Sequence, residues 1–193
     1  MSLKPDSNYF PAFIKLDDKK VLLVGGGNIA YEKLTKLLDF TDKIVIIAPK
    51  ISEQIIELIS IHNLNYSQRA YQKDDIAEFT LVVVAVDDLD LQKEIYEESQ
   101  NHKCLCNSVD STKYCDFIFP SYIKEGDLTV AISTSGASPA FAKHFKKYIR
   151  EKIPQNIGLF LQEMKGLRHS LPKGVERMQM LEKKAKEFIA KLR

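Results

Sequence analysis

The sequence predicts an α/β protein in which a parallel sheet is followed by a hairpin and several helices. Three features of the 193-residue chain support this prediction. Short apolar runs alternate with helical patterns between residues 19 and 107, and a glycine-rich turn separates the first run from the first helical pattern. Beyond residue 110 the alternation stops, and a hairpin pattern and three helical patterns follow. Strands that alternate with helices at this spacing form βαβ units and hence a parallel sheet.

Continuous apolar runs predict the strands, because a strand that is buried on both faces needs no polar alternation. The clearest run is Leu81-Val82-Val83-Val84-Ala85. Apolar residues at helical spacing, such as Ile55, Ile56 and Ile59, predict the helices between the strands. The strands are expected at residues 19–24, 44–48, 81–85 and 104–107, and the helices at residues 28–40, 52–62 and 87–101.

The second half of the chain is predicted to form a hairpin and three helices. Residues 117–123 and 128–132 are strand-like, and they flank a four-residue loop that contains Gly126. Ser138 and Pro139 suit the N-cap and the first turn of a helix. This helix is expected to reach residue 152, and two more are expected at residues 156–170 and 173–192. The patterns predict three domains: a sheet domain over residues 1–112, a hairpin and helix over 113–152, and a small helical domain over 153–193.

The net charge of +2 conceals an asymmetry along the chain. Residues 1–138 hold 14 basic and 21 acidic side chains, whereas residues 139–193 hold 14 basic and 5 acidic ones. A basic half of this kind either meets an anionic partner or is a solvated helical face, and the charge count alone leaves both open.

Composition favours a cytoplasmic protein. The sequence has no apolar run of membrane-spanning length and no signal-peptide pattern at its start. Three cysteines are too few for a disulfide scaffold, and Cys104, Cys106 and Cys115 lack the spacing of a metal site, so we expect buried structural thiols and no metal ligands.

The turn Gly25-Gly26-Gly27-Asn28-Ile29-Ala30 matches the pattern G-x-G-x-x-A between a strand and a helix. In this pattern the first glycine permits a tight turn, the second lets the backbone approach a pyrophosphate, and the small sixth residue lets the helix pack closely. The sequence therefore predicts a Rossmann-type domain that binds a dinucleotide. The usual ribose-binding acid is missing, because the second strand ends in Ala48-Pro49-Lys50. Lys50 is either a partner for a 2′-phosphate or a surface lysine, so the residues leave NAD and NADP open.

Four motifs in order identify a family resemblance: residues 25–30, 85–88 (Ala-Val-Asp-Asp), 106–110 (Cys-Asn-Ser-Val-Asp) and 133–139 (Ser-Thr-Ser-Gly-Ala-Ser-Pro). The chain resembles precorrin-2 dehydrogenases, including the dehydrogenase/chelatase module of sirohaem synthases. The family pattern Asn-Val-Val-Asp is Asn107-Ser108-Val109-Asp110 here, so the acid is kept. The resemblance ends with the helical segment, and we expect no methyltransferase domain of the kind fused in some relatives.

The resemblance implies NAD-dependent oxidation of precorrin-2 to sirohydrochlorin in sirohaem biosynthesis by a homodimer. The hairpin and the helix after it are then the dimerisation region. Asp110 is expected to be the catalytic acid, as a general base or a stabiliser of positive charge. Ser133, Thr134, Lys146 and Lys147 are expected to bind the substrate carboxylates. The cofactor-binding residues are expected to be Gly25, Gly26, Gly27, Asn28, Ile29, Pro49, Lys50, Ala85, Val86, Asp87 and Asn107.

Two other functions remain open from the sequence. The first is a bifunctional enzyme that also inserts iron, with Fe²⁺ as a second substrate. The other is a non-catalytic NAD-sensing module, which predicts dinucleotide binding without turnover. Nucleic-acid binding is disfavoured, because the basic half has neither a helix-turn-helix signature nor aromatic-interleaved basic strands. A membrane partner is not expected.

Overall fold

The computed structural model describes residues 9–109 and 111–192. They divide into two units. The first is Tyr9–Ile118, and the second begins at Phe119.

The first unit is built on a five-stranded parallel sheet with helices between its strands. The strand order is β3-β2-β1-β4-β5. The strands are β1 (Val21–Val24), β2 (Ile44–Ile47), β3 (Asn65–Ser67), β4 (Leu81–Val84) and β5 (Leu105–Ser108), and the helices are α1 (Asn28–Leu38), α2 (Glu53–His62) and α3 (Leu89–His102). The expected α/β fold class is confirmed.

The register of the sheet brings the carboxyl ends of the central strands to one edge. Val24 of β1 lies between Ile47 of β2 and Val84 of β4, and Val84 pairs in turn with Ser108 of β5. Open α/β sheets bind their ligands outside this edge, where the strand order reverses. The reversal falls here between β1 and β4, beside the glycine turn.

The core of the first unit explains why the strands are continuous apolar runs. Every residue of β1 and β4 is buried, and Leu34 of α1, Ile55 of α2 and Ile95 of α3 are fully buried. Burying an aliphatic side chain of this size contributes about 1.5–3 kcal/mol. The sheet is therefore held mainly by apolar contact on both faces.

The observed elements of the first unit differ from the predicted ones in several places. The short edge strand β3 was not predicted, and a 3-10 turn occupies Thr112–Tyr114. Strand β5 lies one residue later than expected. Helix α3 starts at Leu89 instead of residue 87, because the carboxylate of Asp88 accepts hydrogen bonds from the backbone N–H of Asp90 and Leu91 and caps the helix there.

The second unit contains an antiparallel hairpin and three helices. The strands are β6 (Ser121–Glu125) and β7 (Leu128–Ile132), and the helices are α4 (Pro139–Lys152), α5 (Ile157–Ser170) and α6 (Val175–Ala190). Glu125 pairs directly with Leu128, so the loop has two residues instead of the four expected. Gly126 has φ +60°, a conformation that suits glycine and closes a two-residue hairpin. Ser138 caps α4 as predicted, since its hydroxyl accepts from the N–H of Phe141 at 3.2 Å.

Helices α5 and α6 pair through few large side chains. The rings of Phe160 and Phe188 stack with centroids 4.0 Å apart, and Lys184 Nζ lies 2.7 Å from Glu163 Oε1. Neither helix has a buried residue. Among the residues that the structure describes, no helix is both long enough and apolar enough to span a bilayer.

Candidate functional site

The first two glycines of the turn are required by the packing of the protein itself. Gly25 has φ +131°, and a Cβ there would collide with the carbonyl oxygen of Ala85. A Cβ on Gly26 would collide with the carbonyl oxygen of Lys50. The turn is therefore pressed against the segments that follow β4 and β2, and these contacts place it at the carboxyl edge of the sheet.

The packing of the described residues does not require a glycine at the third position, Gly27. A Cβ on Gly27 would have no atom of the described residues within 4 Å. Gly27 is the N-cap of α1, and its backbone is extended, with φ −95° and ψ −166°. An absent side chain at an open position leaves room for a group that approaches the backbone closely. This is the cradle that a dinucleotide pyrophosphate needs.

The start of α1 is suited to an anion. The first turn contains no acidic residue, and no side chain of the described residues caps the helix. The N–H groups of this turn and the positive end of the helix dipole therefore remain available to phosphate oxygens. Ala30 is fully buried, as its place at the contact of helix and sheet requires. The residues present thus fit a bound dinucleotide.

The segment after β2 forms one wall beside the turn. Ala48 is buried, whereas Pro49 and Lys50 are exposed. The backbone N–H of Ser52 donates to the carbonyl oxygen of Gly26 at 2.9 Å, which ties the start of α2 to the glycine turn. The Oγ of Ser52 is buried and has no hydrogen-bond partner in the described part of the chain.

The segment after β4 forms the opposite wall. The N–H of Ala85 donates to the carbonyl oxygen of Val24 at 2.7 Å. Ala85 and Val86 are partly buried, and Asp87 is exposed. The structure thus brings the residues predicted at 25–29, 49–50 and 85–87 to one edge of the sheet.

Two more predicted residues, Asn107 and Asp110, come later in the sequence. Asn107 is 5% exposed, and its Nδ2 donates to the carbonyl oxygen of Phe117 at 2.8 Å, so its side chain ties β5 to the segment after it. Its role at a cofactor stays a prediction. Asp110, the predicted catalytic acid, lies outside the described residues. The N–H of Val109, the residue before it in the sequence, donates to the carbonyl oxygen of Val84 at 2.9 Å, so Val109 lies at the carboxyl edge of the sheet.

The predicted substrate hydroxyls lie in the turn before α4, in the second unit. Thr134 Oγ1 accepts a hydrogen bond from the N–H of Ser138, and Ser133 Oγ accepts one from the N–H of Ser135, each at 3.0 Å. Ser135 and Gly136 have positive φ, which gives the turn its sharp bend. In both contacts the hydroxyl is the acceptor, so its own hydrogen can still be donated to an anionic oxygen.

The predicted substrate lysines lie on α4. Lys146 Nζ is 5.5 Å from the centre of the Tyr122 ring, a cation–π distance, and Lys147 is exposed. The same helix carries the stacked and exposed rings of Phe141, Phe145 and Tyr148.

Burial disfavours the thiolate form of all three cysteines. Burial raises the pKa of the Cys104 and Cys106 thiols to about 12, and it also raises the pKa of Cys115. The Cys115 Sγ lies 3.1 and 2.9 Å from the carbonyl oxygens of Ser108 and Ser111, either of which can accept its single hydrogen. Neutral, hydrogen-bonded thiols are structural groups and poor nucleophiles.

A polar cluster that the sequence did not predict joins the segment before β4 to α3. Asp74, Glu98 and His102 each place one atom of the kind that binds metal ions, a carboxylate oxygen or a ring nitrogen, within 4.8 Å of the others. The carboxylate of Glu98 accepts from the N–H of Asp74 at 2.6 Å and from the hydroxyl of Tyr71 at 3.0 Å. These hydrogen bonds attach residues 71–74 to α3, which is a structural explanation for the cluster. The i,i+4 spacing of Glu98 and His102 was the only sequence signal, and it is common on helices.

An open glycine position before an uncapped helix, at the reversal point of a parallel sheet, defines a dinucleotide-binding protein of the Rossmann class. Comparison with known families agrees: the model of the family described as "Putative NAD(P)-binding" matches residues 12–121. This is more than half of the chain, and the protein belongs to that family. A second model, "Sirohaem biosynthesis protein central", matches residues 125–152.

Several curated relatives share one name. The siroheme synthase of Pseudoalteromonas translucida is 35% identical over 150 residues, which cover 78% of this chain and 32% of that protein. The siroheme synthase of Mannheimia succiniciproducens is 32% identical over 164 residues, 85% of this chain and 34% of that one. The chain thus spans about a third of the length of these relatives. A solved structure titled SirC, precorrin-2 dehydrogenase, shares the fold, with a TM-score of 0.78, 24% identity and coverage of 95% of this chain and 98% of that one.

Proposed function

We propose that the protein oxidises precorrin-2 to sirohydrochlorin with NAD⁺. One observation carries the proposal: the same chain combines an NAD(P)-binding turn at 25–30 with a sirohaem-biosynthesis match at 125–152. The solved structure with this fold is named a precorrin-2 dehydrogenase, and the curated relatives are named siroheme synthases.

The wall after β2 supports NAD over NADP. A 2′-phosphate is usually held by an arginine guanidinium near the end of the second strand. Here that strand is followed by Ala48, Pro49 and Lys50, and the single cation is exposed to solvent, which screens its charge. We expect kcat/KM with NAD⁺ to exceed that with NADP⁺ by at least about tenfold, or 1.4 kcal/mol.

The reaction removes two electrons and two protons from the reduced macrocycle. A hydride that leaves the macrocycle carries both electrons and one proton, and NAD⁺ would supply its acceptor when bound. The second proton must pass to a base, and the developing cation needs a negative charge beside it. Asp110 is the residue we assign to this role, because it matches the acid of the family motif and comes next in the sequence after Val109, which lies at the carboxyl edge of the sheet.

The substrate is an octacarboxylate, and the turn before α4 offers groups that suit carboxylates. The hydroxyl oxygens of Ser133 and Thr134 accept from the backbone, so their hydrogens can be donated to a substrate carboxylate. Lys146 and Lys147 add positive charge on α4, and we assign them to the acetate and propionate side chains.

The aromatic face of α4 supports a homodimer. Phe141 and Tyr148 are 57% and 54% exposed and stack on either side of Phe145. A row of exposed rings on a well-formed helix is typical of a protein interface. We propose that a second copy of this chain covers it.

The first experiment is an anaerobic assay with enzymatically generated precorrin-2, in which NADH and the tetrapyrrole spectrum are followed together. We expect equal amounts of NADH and sirohydrochlorin, and a loss of kcat of about 10²–10⁴ in Asp110→Asn. Asp90→Asn is the matched control, because Asp90 is an exposed carboxylate on α3. Its rate should stay close to that of the unmodified protein.

Two outcomes would contradict the proposal in different ways. A protein that binds NAD⁺ but forms neither product is not a dehydrogenase, and a sensing or purely chelating role would then take its place. Full turnover in Asp110→Asn would remove Asp110 from the mechanism while leaving the reaction intact. Fe²⁺ incorporation into sirohydrochlorin is measured in the same preparation, because the relatives are named siroheme synthases.

A further inference from the structure

Gln92 is a buried polar residue in the first turns of α3 that the proposed mechanism does not use. It is 3% exposed. Its Nε2 donates to the carbonyl oxygen of Val86 at 2.7 Å and lies 3.4 Å from that of Val109. Both neighbours are acceptors, so the amide must present its nitrogen to them. One side chain therefore joins the segments that leave β4 and β5.

This bridge stands where the sheet can no longer hold those segments together. Among the described residues, the last backbone hydrogen bond between them runs from the N–H of Val109 to the carbonyl oxygen of Val84. The carbonyl of Val86 lies two residues farther along, outside the ladder, and the amide of Gln92 takes the place of a strand partner. Ligands of parallel sheets bind at the edge where the strands separate.

The position of Gln92 is itself fixed from the helix start. Its backbone N–H donates to the carbonyl oxygen of Asp88 at 3.0 Å. The side chain of Asp88 caps the same turn through Asp90 and Leu91. Because α3 begins at a defined residue, the amide of Gln92 is held at a defined distance from the two carbonyls.

The bridge leads directly to the glycine turn. Val86 follows Ala85, and the carbonyl oxygen of Ala85 lies against Gly25 so closely that a Cβ could not fit. A displacement of Val86 would be passed through Ala85 to the turn. The other arm of the bridge ends at Val109, the residue before the proposed catalytic Asp110.

The unpaired end of the amide shows that packing alone does not explain this residue. The Oε1 of Gln92 is buried, and no described residue donates to it. A methionine would fill a similar volume without burying an unpaired acceptor. The two bonds of Nε2 are therefore what the glutamine contributes.

We propose that Gln92 is a positioning residue of the dinucleotide site, which fixes the spacing between the segments after β4 and β5. A dinucleotide bound at this edge would contact those segments, and Gln92 would act on it through Val86 and Val109. The inference rests on the proposed function in one respect: it takes the carboxyl edge of the sheet as the place where the nicotinamide reacts.

The test compares Gln92→Met with Gln100→Met, a control on the same helix. Gln100 is exposed, and its amide contacts Asp116 and Ser99 instead of the carboxyl edge. Binding of NAD⁺ and NADP⁺ is measured by calorimetry without any tetrapyrrole. The loss of two hydrogen bonds predicts a rise in Kd of about tenfold in Gln92→Met and little change in Gln100→Met. Gln92→Asn keeps the amide at a shorter reach and should fall between the unmodified protein and Gln92→Met.

A local readout separates positioning from general stability. Amide hydrogen exchange should quicken at residues 85–87 and 108–109 in Gln92→Met, while α1 and β1 keep their protection. Unchanged Kd values in Gln92→Met would overturn the proposal, as would exchange that quickens uniformly across the sheet. If Gln92→Met does not fold, an unchanged Kd in Gln92→Asn has the same meaning. Because no turnover is measured, failure of the dehydrogenase assay leaves this comparison intact.

Discussion

Gly25 and Ala85 are in backbone contact across the carboxyl edge of the sheet, and the carbonyl oxygen of Ala85 occupies the place of a Gly25 side chain. The contact joins the β1–α1 turn to the segment after β4, which are neighbours only because the strand order reverses there. It therefore couples the stability of the first unit to the shape of the dinucleotide site.

Gly25→Ala should damage both stability and binding. The new methyl group meets the Ala85 carbonyl, and φ +131° is a conformation that alanine rarely adopts. We expect a loss of about 2–4 kcal/mol in the free energy of unfolding and no measurable NAD⁺ binding. Urea unfolding and calorimetry test this. Gly174→Ala is the control, since a Cβ on Gly174 has no described atom within 4 Å. A Gly25→Ala protein with the stability of that control would show that the turn can relax.

Gly27→Ala should separate binding from stability. Its Cβ would enter open space, and its negative φ suits alanine. We expect the free energy of unfolding to change by less than about 1 kcal/mol, because only the weak capping preference for glycine is lost. The Kd for NAD⁺ should rise at least about tenfold, since the methyl group takes the space assigned to the pyrophosphate. An unaltered Kd would mean that the dinucleotide does not approach this position.

The parts of the fold that could be predicted are those with strong local signals. Strands β1 and β4 are apolar throughout because both faces are covered, and the glycine turn has a fixed pattern. Strand β3 is Asn65-Tyr66-Ser67, and it exists only because β2 offers it an edge, which no local pattern reveals.

The site was predictable to the level of segments but not of side-chain contacts. Residues 25–29, 49–50 and 85–87 do meet at one edge. The position of Gln92 resembles any polar residue on a helix, and its contact with Val109 spans 17 residues. Asn107 belongs to a recognisable motif, yet its amide donates a hydrogen bond to the carbonyl oxygen of Phe117. Such contacts depend on how distant segments pack, which periodicity does not encode.

The thiols of Cys104 and Cys106 should resist alkylation in the folded protein. Their pKa values are raised to about 12 by burial, so almost no thiolate exists at pH 8. A thiol whose folded pKa is raised contributes stability below its unfolded pKa, and that stability is lost as the pH rises through the folded pKa. We therefore expect the free energy of unfolding to fall between about pH 9 and pH 12. Reaction with a thiol reagent at pH 8 tests the resistance to alkylation, with the urea-unfolded chain as the reference. Rapid labelling of both thiols in the folded protein would contradict it.

The double variant Lys146→Gln/Lys147→Gln should raise KM for the tetrapyrrole while leaving kcat nearly unchanged. The lysines are assigned to carboxylates that do not react, so they hold substrate and transition state alike. Exposed ion pairs contribute about 0.2–1 kcal/mol each, so the loss of two predicts a rise in KM of about twofold to thirtyfold at low salt. The difference from the unmodified protein should shrink at high ionic strength, because salt screens the lost attraction. Lys93→Gln removes an exposed lysine that pairs with Glu97 on α3. It is the control for the loss of a single positive charge elsewhere on the surface. If KM is unaltered in the double variant, or if Lys93→Gln raises it equally, α4 does not bind the substrate and its lysines are a solvated face.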